Sequence, residues 1–362
     1  MSETPREAIE AVLAGYTDPY LGVDLVAAGA VRDIKSGDDG VEVVIELGFP
    51  NGSYADELRQ ELAQRLNEVA ADIRVTVETR IESHTVQRNL KPMGEIRNII
   101  AVSCAKGGVG KSTTAVNLAL ALAADGARTG LLDADIYGPS QPRMLGLRGQ
   151  QPVSKDGKSL EPLVAHGVEC MSIGFLIDEE QPMVWRGPMV TKALQQLIGD
   201  THWGELDYLI IDLPPGTGDI QLTLSQRVPV SGAVIVTTPQ EIALLDARKG
   251  LKMFQKVDVT VLGIVENMSF YVCPECGHEE TIFGSGGGER MAQDYDTRLL
   301  GRLPLDRKIR EQADSGRPTV VAEPGSRNTE RYRDIARSAA AQLSLSGKDY
   351  SRLFPKIVVE DT

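Results

Sequence analysis

The sequence predicts an α/β protein: a doubly wound, mainly parallel sheet preceded by a small α+β domain. Three observations lead there. From Asn98 onward, apolar strand-like runs alternate with helix-like stretches, the order that builds a parallel sheet covered by helices on both faces. A glycine-rich string, Lys106-Gly107-Gly108-Val109-Gly110-Lys111-Ser112-Thr113, follows the first of these runs and opens a helix-like stretch. Residues 1–84 instead mix short alternating strands with amphipathic helices.

The elements follow in chain order. Thr4 to Leu13 reads as a helix. Ala30 to Lys35 and Val41 to Leu47 alternate as two strands around the turn Ser36-Gly37-Asp38-Asp39-Gly40. Leu58, Leu62, Leu66 and Val69 recur at helical spacing, and Ile73 to Ile81 alternates again as a strand. Residues 85–97, with Pro92 and Gly94 among charged side chains, read as a linker. Residues 98–343 form the main domain, with candidate strands Ile99–Ser103, Thr129–Asp133, Val168–Ile173, Tyr208–Asp212, Ala233–Thr237 and Val261–Glu266. Several are apolar on both faces, as covered parallel strands are. Residues 344–362 read as a partly disordered tail.

Composition bounds the function. A chain of 362 residues suits two or three domains at about 150 residues each. No apolar run reaches the roughly 18 residues of a membrane span. The polar start Met1-Ser2-Glu3-Thr4-Pro5-Arg6-Glu7 lacks a secretory apolar stretch, so a cytoplasmic protein is expected. Net charge is −13, and no lysine- or arginine-rich run supplies the basic face that nucleic acid or anionic membrane requires. Neither partner is expected, and the dispersed acidity suits solubility in salt. Four cysteines in a chain this long argue against a disulfide framework. Cys104 and Cys170 lie in or beside apolar runs and read as small core residues.

The glycine-rich string carries phosphate chemistry. Glycines let backbone N–H groups turn inward on an anion, and the helix N-terminus adds its positive end there. Lys111 is placed to reach the β- and γ-phosphates of a nucleotide, and the Ser112 hydroxyl to sit on Mg²⁺. Ala105 stands where the standard pattern has its first glycine, and a second lysine, Lys106, stands beside it. Two strands then end in acids: Leu131-Leu132-Asp133-Ala134-Asp135 and Leu209-Ile210-Ile211-Asp212-Leu213-Pro214-Pro215-Gly216-Thr217-Gly218. An Asp that ends a buried strand faces the crevice where Mg²⁺ takes carboxylates and keeps its waters.

With these residues the chain resembles the deviant Walker-A ATPases of the P-loop NTPase class. The resemblance implies that Lys106 crosses a dimer interface to the partner's nucleotide. It implies that Asp135 orients or activates the attacking water, and that Asp133 and Asp212 hold Mg²⁺ through its waters. Gly216 and Gly218 would let the second switch loop approach the γ-phosphate. Phosphoryl transfer asks mainly for positioning and charge neutralisation, which Lys106, Lys111, Mg²⁺ and the loop amides would supply to ATP. Asn267, in Glu266-Asn267-Met268-Ser269, matches the family position that contacts adenine. The turn Leu303-Pro304-Leu305-Asp306 is similar to the family's other base-side loop.

The second distinctive feature is Cys273-Pro274-Glu275-Cys276-Gly277-His278. Two thiolates three positions apart can point at one soft metal centre. A zinc knuckle is one reading, although closed structural zinc takes four ligands and the sequence offers one pair. A redox dithiol is another, although a thioredoxin-like motif opens a helix after a strand. Here the motif lies in a loop region running to Phe283-Gly284-Ser285-Gly286-Gly287-Gly288. In the third reading, two subunits related by a twofold axis bring together the four thiolates that a [4Fe–4S] cluster takes. A cluster held by two ligands per chain is exposed and detachable, which suits delivery. His278 reads as a loop residue.

The stretch from Cys273 through Gly288 to the turn at Leu303–Asp306 resembles the Mrp/ApbC family of iron–sulfur carrier ATPases. With the switch loops, this resemblance spans roughly residues 95 to 330. Asp18-Pro19-Tyr20-Leu21-Gly22-Val23-Asp24-Leu25-Val26, followed by Gly29, resembles the small domain of MIP18-type iron–sulfur assembly proteins, commonly fused to that family. That domain usually has Glu where Tyr20 stands. With no cysteine in residues 1–84, it reads as a docking module.

The resemblance implies a homodimer with slow ATP hydrolysis that shares a labile [4Fe–4S] cluster between two subunits. It would pass the cluster to apo iron–sulfur clients, alongside cluster-assembly factors. A ParA/MinD-type positioning ATPase is the alternative from another class. Such proteins use a basic face or a basic amphipathic C-terminal helix. The tail from Asp349 to Thr362 is short, Pro-broken and ends acidic. A zinc-knuckle ATPase without cluster transfer is a further alternative. In a reductase similar to the nitrogenase iron protein the ligand cysteines lie far apart, and Cys104 and Cys170 do not sit at matching motifs.

Overall fold

A computed structural model describes residues 5–37, 40–69, 72–87, 90–177, 187–216 and 219–348. The N-terminal part runs α1 (Pro5–Ala14), β1 (Val31–Gly37), β2 (Gly40–Leu47), α2 (Tyr54–Leu66) and β3 (Ile73–Thr79). β1 and β2 pair antiparallel, and β3 joins β2 in parallel. The helical spacing places Leu58, Leu62 and Leu66 on one buried face of α2. Val69, predicted on that face, lies past the helix end and is 41% exposed.

The second part begins with β4 (Ile96–Ser103), α3 (Lys111–Ala124), β5 (Thr129–Asp133), α4 (Gln141–Met144), β6 (Leu163–Ala165) and β7 (Val168–Ser172). It continues with α5 (Gly187–Gly199), β8 (Leu206–Asp212), α6 (Asp219–Arg227), β9 (Gly232–Thr237) and α7 (Glu241–Lys256). It closes with β10 (Val261–Val272), β11 (Glu279–Glu280), α8 (Gly287–Asp294), β12 (Leu299–Pro304), α9 (Arg307–Asp314), α10 (Thr319–Ala322) and α11 (Arg327–Ser344). The sheet order is β12-β10-β9-β4-β8-β5-β7-β6, parallel except at β6, with β11 turning back antiparallel on the far end of β10. Every residue of β5, β8 and β9 is buried, as apolar strands covered on both faces require. This is the predicted doubly wound sheet.

The predicted strands recur with small boundary shifts, except β10. Predicted to stop at Glu266, it runs on to Val272. Its pairing with β9 ends at Glu266, an irregularity follows, and the strand resumes beside β12 at Phe270 and β11 at Tyr271. Asn267 and Ser269, polar residues on either side of Met268, hid this continuation. β4 also starts early, at Ile96, because that residue pairs with Leu206 and is buried.

The segment expected as a linker is anchored at several points. The Thr85 amide donates to the Gly347 carbonyl at 2.8 Å, and Gln87 Nε2 donates to the Ser225 carbonyl at 2.6 Å. The two parts also meet along α11. The Tyr20 hydroxyl donates to Asp334 at 2.8 Å, while Arg298 and Gln342 donate to the Tyr20 carbonyl at 2.9 and 3.0 Å. Asp125, the C-cap of α3, accepts from Arg333 and Arg337 of α11. Gly218 of the predicted second switch, the turn residues Asp38 and Asp39, and tail residues 349–362 lie outside the described residues. Among the described residues, no helix is long and apolar enough to cross a membrane.

Candidate nucleotide and thiol sites

The carboxyl ends of β4, β5 and β8 meet at the glycine-rich loop. Register places Val102 beside Asp212 and Asp212 beside Asp133, so the loop and both acids share one edge. Gly110, the N-cap of α3, has φ +84°, and Gly108 has φ +83°. These left-handed conformations suit glycine, and they turn the loop tightly into the helix. A methyl at Gly107 or Gly108 would meet nothing within 4 Å, so the loop borders open space on that side.

Lys111 is buried at the start of α3 and ion-pairs with Asp212, with Asp135 Oδ2 at 3.8 Å and the Ser112 hydroxyl at 3.2 Å. Burial pulls its pKa down, but the Asp212 and Asp135 carboxylates more than offset this and hold it above the ordinary lysine value. Burial raises the pKa of Asp135, against the pull of Lys111. The Asp133 carboxyl rises to about 7, through complete burial and then the neighbouring Asp212 charge.

Asp133 faces inward. It accepts from the amides of Asp135, Ser140 and Gln141 at 3.0–3.1 Å and from the Ser172 hydroxyl at 3.1 Å. It therefore folds the segment after β5 over the site, while Asp212 and Asp135 meet the lysine. Gln141, which has no motif to mark it, donates from Nε2 to Asp212 Oδ2 at 2.9 Å and to the Ser112 carbonyl at 3.1 Å. Lys106 is exposed on the loop, and Ser112 and Thr113 are half-buried. Val109 is buried beneath the loop. Gly216 donates its amide to the Cys104 carbonyl at 3.1 Å, tying the second acidic loop to the end of β4.

Asn267 lies against the loop. Its Nδ2 donates to the Val109 carbonyl at 2.8 Å, and its Oδ1 accepts from the Met268 amide at 2.9 Å. In the turn at Leu303–Asp306, Leu305 donates its amide to the Phe270 carbonyl at 2.7 Å, and Asp306 caps α9 at the Lys308 amide.

These residues fit a nucleotide phosphate with Mg²⁺. The loop opens outward, a buried lysine is held among carboxylates, and Ser103 Oγ, Ser140 Oγ, Gln141 Oε1 and Gln221 Oε1 are buried without hydrogen-bond partners. Unsatisfied buried polar atoms mark places where a ligand, ion or water completes the network.

The thiol pair sits elsewhere on the same strand. β10 and β11 form a short antiparallel ribbon whose tip is Cys273–His278. The Cys273 amide donates to the His278 carbonyl and the Gly277 amide to the Cys273 carbonyl, both at 2.9 Å. Cys273 is half-buried and Cys276 exposed. The Cys276 and Glu275 amides, and then the Cys276 side chain, lower the Cys273 pKa. That favours the thiolate a soft metal binds. No helix follows until Gly287, so the pair lacks a thioredoxin-like setting. Among the described residues no group of three or more His, Cys, Asp and Glu is arranged to hold a metal ion. Cys104 and Cys170 are buried, as expected of core residues.

Comparison with known proteins places the chain in a family. A family model described as "NUBPL iron-transfer P-loop NTPase" matches residues 95–340, and one described as "Iron-sulfur cluster assembly protein" matches residues 6–78. The iron-sulfur cluster carrier protein of Escherichia coli K12 is 49% identical over 354 residues, covering 96% of this chain and 94% of that protein. The iron-sulfur cluster transfer protein NUBPL of Mus musculus is 52% identical over 258 residues, covering 71% of this chain and 81% of that one. Among solved structures, a nucleotide-binding protein from Archaeoglobus fulgidus in complex with ADP has a TM-score of 0.58 at 39% identity, covering 65% of this chain and 91% of that chain. The Pyrococcus furiosus cell division ATPase MinD, at 21% identity and a TM-score of 0.51 over 67% of this chain and 97% of its own, shares the fold.

Proposed function

This chain belongs to the NUBPL iron-transfer P-loop NTPase family, and on that premise we propose that it is an ATP-dependent carrier of a labile iron–sulfur cluster. The observation that carries the reading is that one continuous strand, β10, touches the phosphate loop at Asn267 and ends at the thiol pair. A nucleotide switch and a cargo grip are thus built on one element. The boundaries that go with this reading are residues 1–84 for the small domain, 98–343 for the ATPase domain and 344–362 for the tail.

In this reading Lys106 to Thr113 bind the ATP phosphates through loop amides and the two lysines. Lys111 leaves Asp212 for the phosphates, and Lys106 reaches the partner's nucleotide. Ser112, Asp133 and Asp212 would hold Mg²⁺, and Asp133 also organises the loop after β5. Mg²⁺, when bound, neutralises phosphate charge. Asp135 orients the attacking water. Asn267 serves the base side of the nucleotide through its place beside the loop. Hydrolysis is slow and resets the carrier.

The cargo is a [4Fe–4S] cluster held by Cys273 and Cys276 together with the same pair from a second subunit. Four thiolates satisfy such a cluster, and one chain brings two. Val272 and Ile282, 44% and 50% exposed, give the ribbon apolar flanks suited to contact with another protein surface. Apo iron–sulfur proteins are the recipients, and the N-terminal domain is a docking module for assembly factors or recipients. The likeness to MinD is one of fold, so it lends no weight to a positioning role.

The test is anaerobic reconstitution with iron and sulfide, followed by iron analysis and transfer to an apo recipient. Wild type is expected to take up cluster and deliver it. Cys273→Ala is expected to lose both while keeping nucleotide binding. A Cys273→Ala variant with a full complement of cluster would remove the basis of the reading.

A further inference from the structure

We propose that the Asn267–Met268 bulge in β10 carries nucleotide occupancy to the thiol pair, which makes these two residues positioning residues for cargo handling. The inference rests on reading Cys273 and Cys276 as the cargo site. Asn267 grips the loop where it turns into α3: its Nδ2 is 2.8 Å from the Val109 carbonyl, and a methyl on Gly110 would stand 2.1 Å from the same nitrogen. Backbone movement at Val109 or Gly110 on phosphate binding therefore reaches Asn267 directly.

Asn267 passes that movement into the strand. Its Oδ1 accepts from the Met268 amide, closing a small ring across the bend. Met268 has φ +53°, a left-handed conformation that a methionine rarely adopts unless its surroundings impose it. The β10–β12 ladder is interrupted between Glu266 and Phe270, so the strand lacks that pairing where the loop touches it.

Both flanks are fixed. Buried Glu266 accepts from the Gly288 amide at 2.6 Å, and across the bend from the Ser269 hydroxyl at 2.5 Å. Beyond the bend, the Phe270 carbonyl accepts from the Leu305 amide, and Arg331 lies 4.7 Å above the Phe270 ring. Tyr271 and Val272 are then paired with β11. Between Glu266 and the thiol pair this leaves one irregularity, and the ribbon beyond it carries Cys273 at its tip, about 20 Å along the strand from Asn267 at the usual rise per residue. A small rotation at Met268 is amplified at the thiols. Coupling of this kind needs a contiguous bonded element with two arrangements, and the bend supplies the place where they interchange.

The test uses the cluster-free full chain under anaerobic conditions. Iodoacetamide modification of Cys273 and Cys276 is followed by peptide mass spectrometry without nucleotide, with MgADP and with a non-hydrolysable MgATP analogue. In wild type the analogue is expected to change the rate about fivefold or more, the usual scale of site-to-site coupling. Asn267→Ala at saturating analogue should bring that ratio below about twofold. Met268→Gly, free to bend without the loop, should do the same with nucleotide affinity intact, while Met268→Ala should keep the wild-type ratio. That glycine–alanine contrast is a readout that simple loss of packing would not produce. Rates indifferent to nucleotide in wild type would overturn the inference. So would a full ratio in Asn267→Ala or Met268→Gly, which would assign the protection to subunit pairing. Because no cluster is present, a flat result leaves the cargo reading standing. Failure of the cargo reading in reconstitution leaves these rates interpretable.

Discussion

Truncating Asp125 to alanine probes the far end of the phosphate-loop helix, where the two parts of the chain are joined. The Asp125 carboxylate accepts four hydrogen bonds: from Arg333 Nε and Nη2 at 3.1 and 2.7 Å, and from Arg337 Nε and Nη2 at 2.6 and 3.1 Å. The Asp125 side chain is 1% exposed, that of Arg337 3% and that of Arg333 18%. Removing one partner of a buried pair strands the other charge and costs about 3–5 kcal/mol. An acid at a helix C-terminus opposes the dipole, so its removal returns about 0.3–1 kcal/mol. Arg333 also keeps Glu330 at 3.6 Å. The expected net loss is about 3 kcal/mol, read as a shift in urea unfolding followed by circular dichroism. Arg337→Met should cost less, because Arg333 still holds the acid. The double variant should fall short of the sum of the two by at least about 1 kcal/mol, the mark of a coupled pair. A loss below about 1 kcal/mol for Asp125→Ala, with additive double-variant behaviour, would put this pair on the footing of an exposed surface bridge and refute the reasoning.

Other outcomes follow from the same geometry. Lys106→Ala should slow ATP turnover by about tenfold or more while changing nucleotide affinity by under about threefold, since in the proposed dimer the exposed lysine acts on the partner's nucleotide; unchanged turnover would count against that role. Lys111→Met should weaken nucleotide binding by about a hundredfold or more in a fluorescent-nucleotide titration, and should leave Asp212 and Asp135 without their cation. His84 gives a pH dependence with a definite sign. Burial lowers its pKa below the ordinary 6.5, although its hydrogen bond to Asn98 works the other way. The unfolded chain therefore binds the proton more readily, so this contribution is intact above about pH 6.5 and is lost as pH falls below it. Urea midpoints for wild type and His84→Gln at pH 7.5 and 5.5 should show the steeper decline in wild type; parallel declines would contradict the assignment.

What the sequence revealed tracks how local each signal is. The glycine-rich string, the acids at the ends of β5 and β8 and the cysteine pair are short patterns whose spacing carries their chemistry; the first two lie at strand ends as expected, while the cysteine pair, expected in a loop region, follows directly on the extended β10. Asp133 was found, but its inward orientation depends on Ser140, Gln141 and Ser172, whose contacts no motif encodes. Gln141 stayed hidden for the same reason. The second half of β10 was masked by a polar stretch and a left-handed Met268, which read as a turn although the strand resumes beyond them. The Asp125–Arg337 pair joins residues too far apart in sequence for any window to connect. Tyr20 departs from its family's usual Glu, and its use as an anchor on the second part rests on Asp334 and Gln342 of α11 and on Arg298 before β12.

The most direct check of the carrier account is native mass spectrometry of one anaerobically reconstituted preparation, reading subunit number and bound iron in each species. The account predicts cluster only in paired subunits, at about two irons per chain, with bare single subunits alongside. Single subunits each carrying about four irons and still competent in transfer would contradict it.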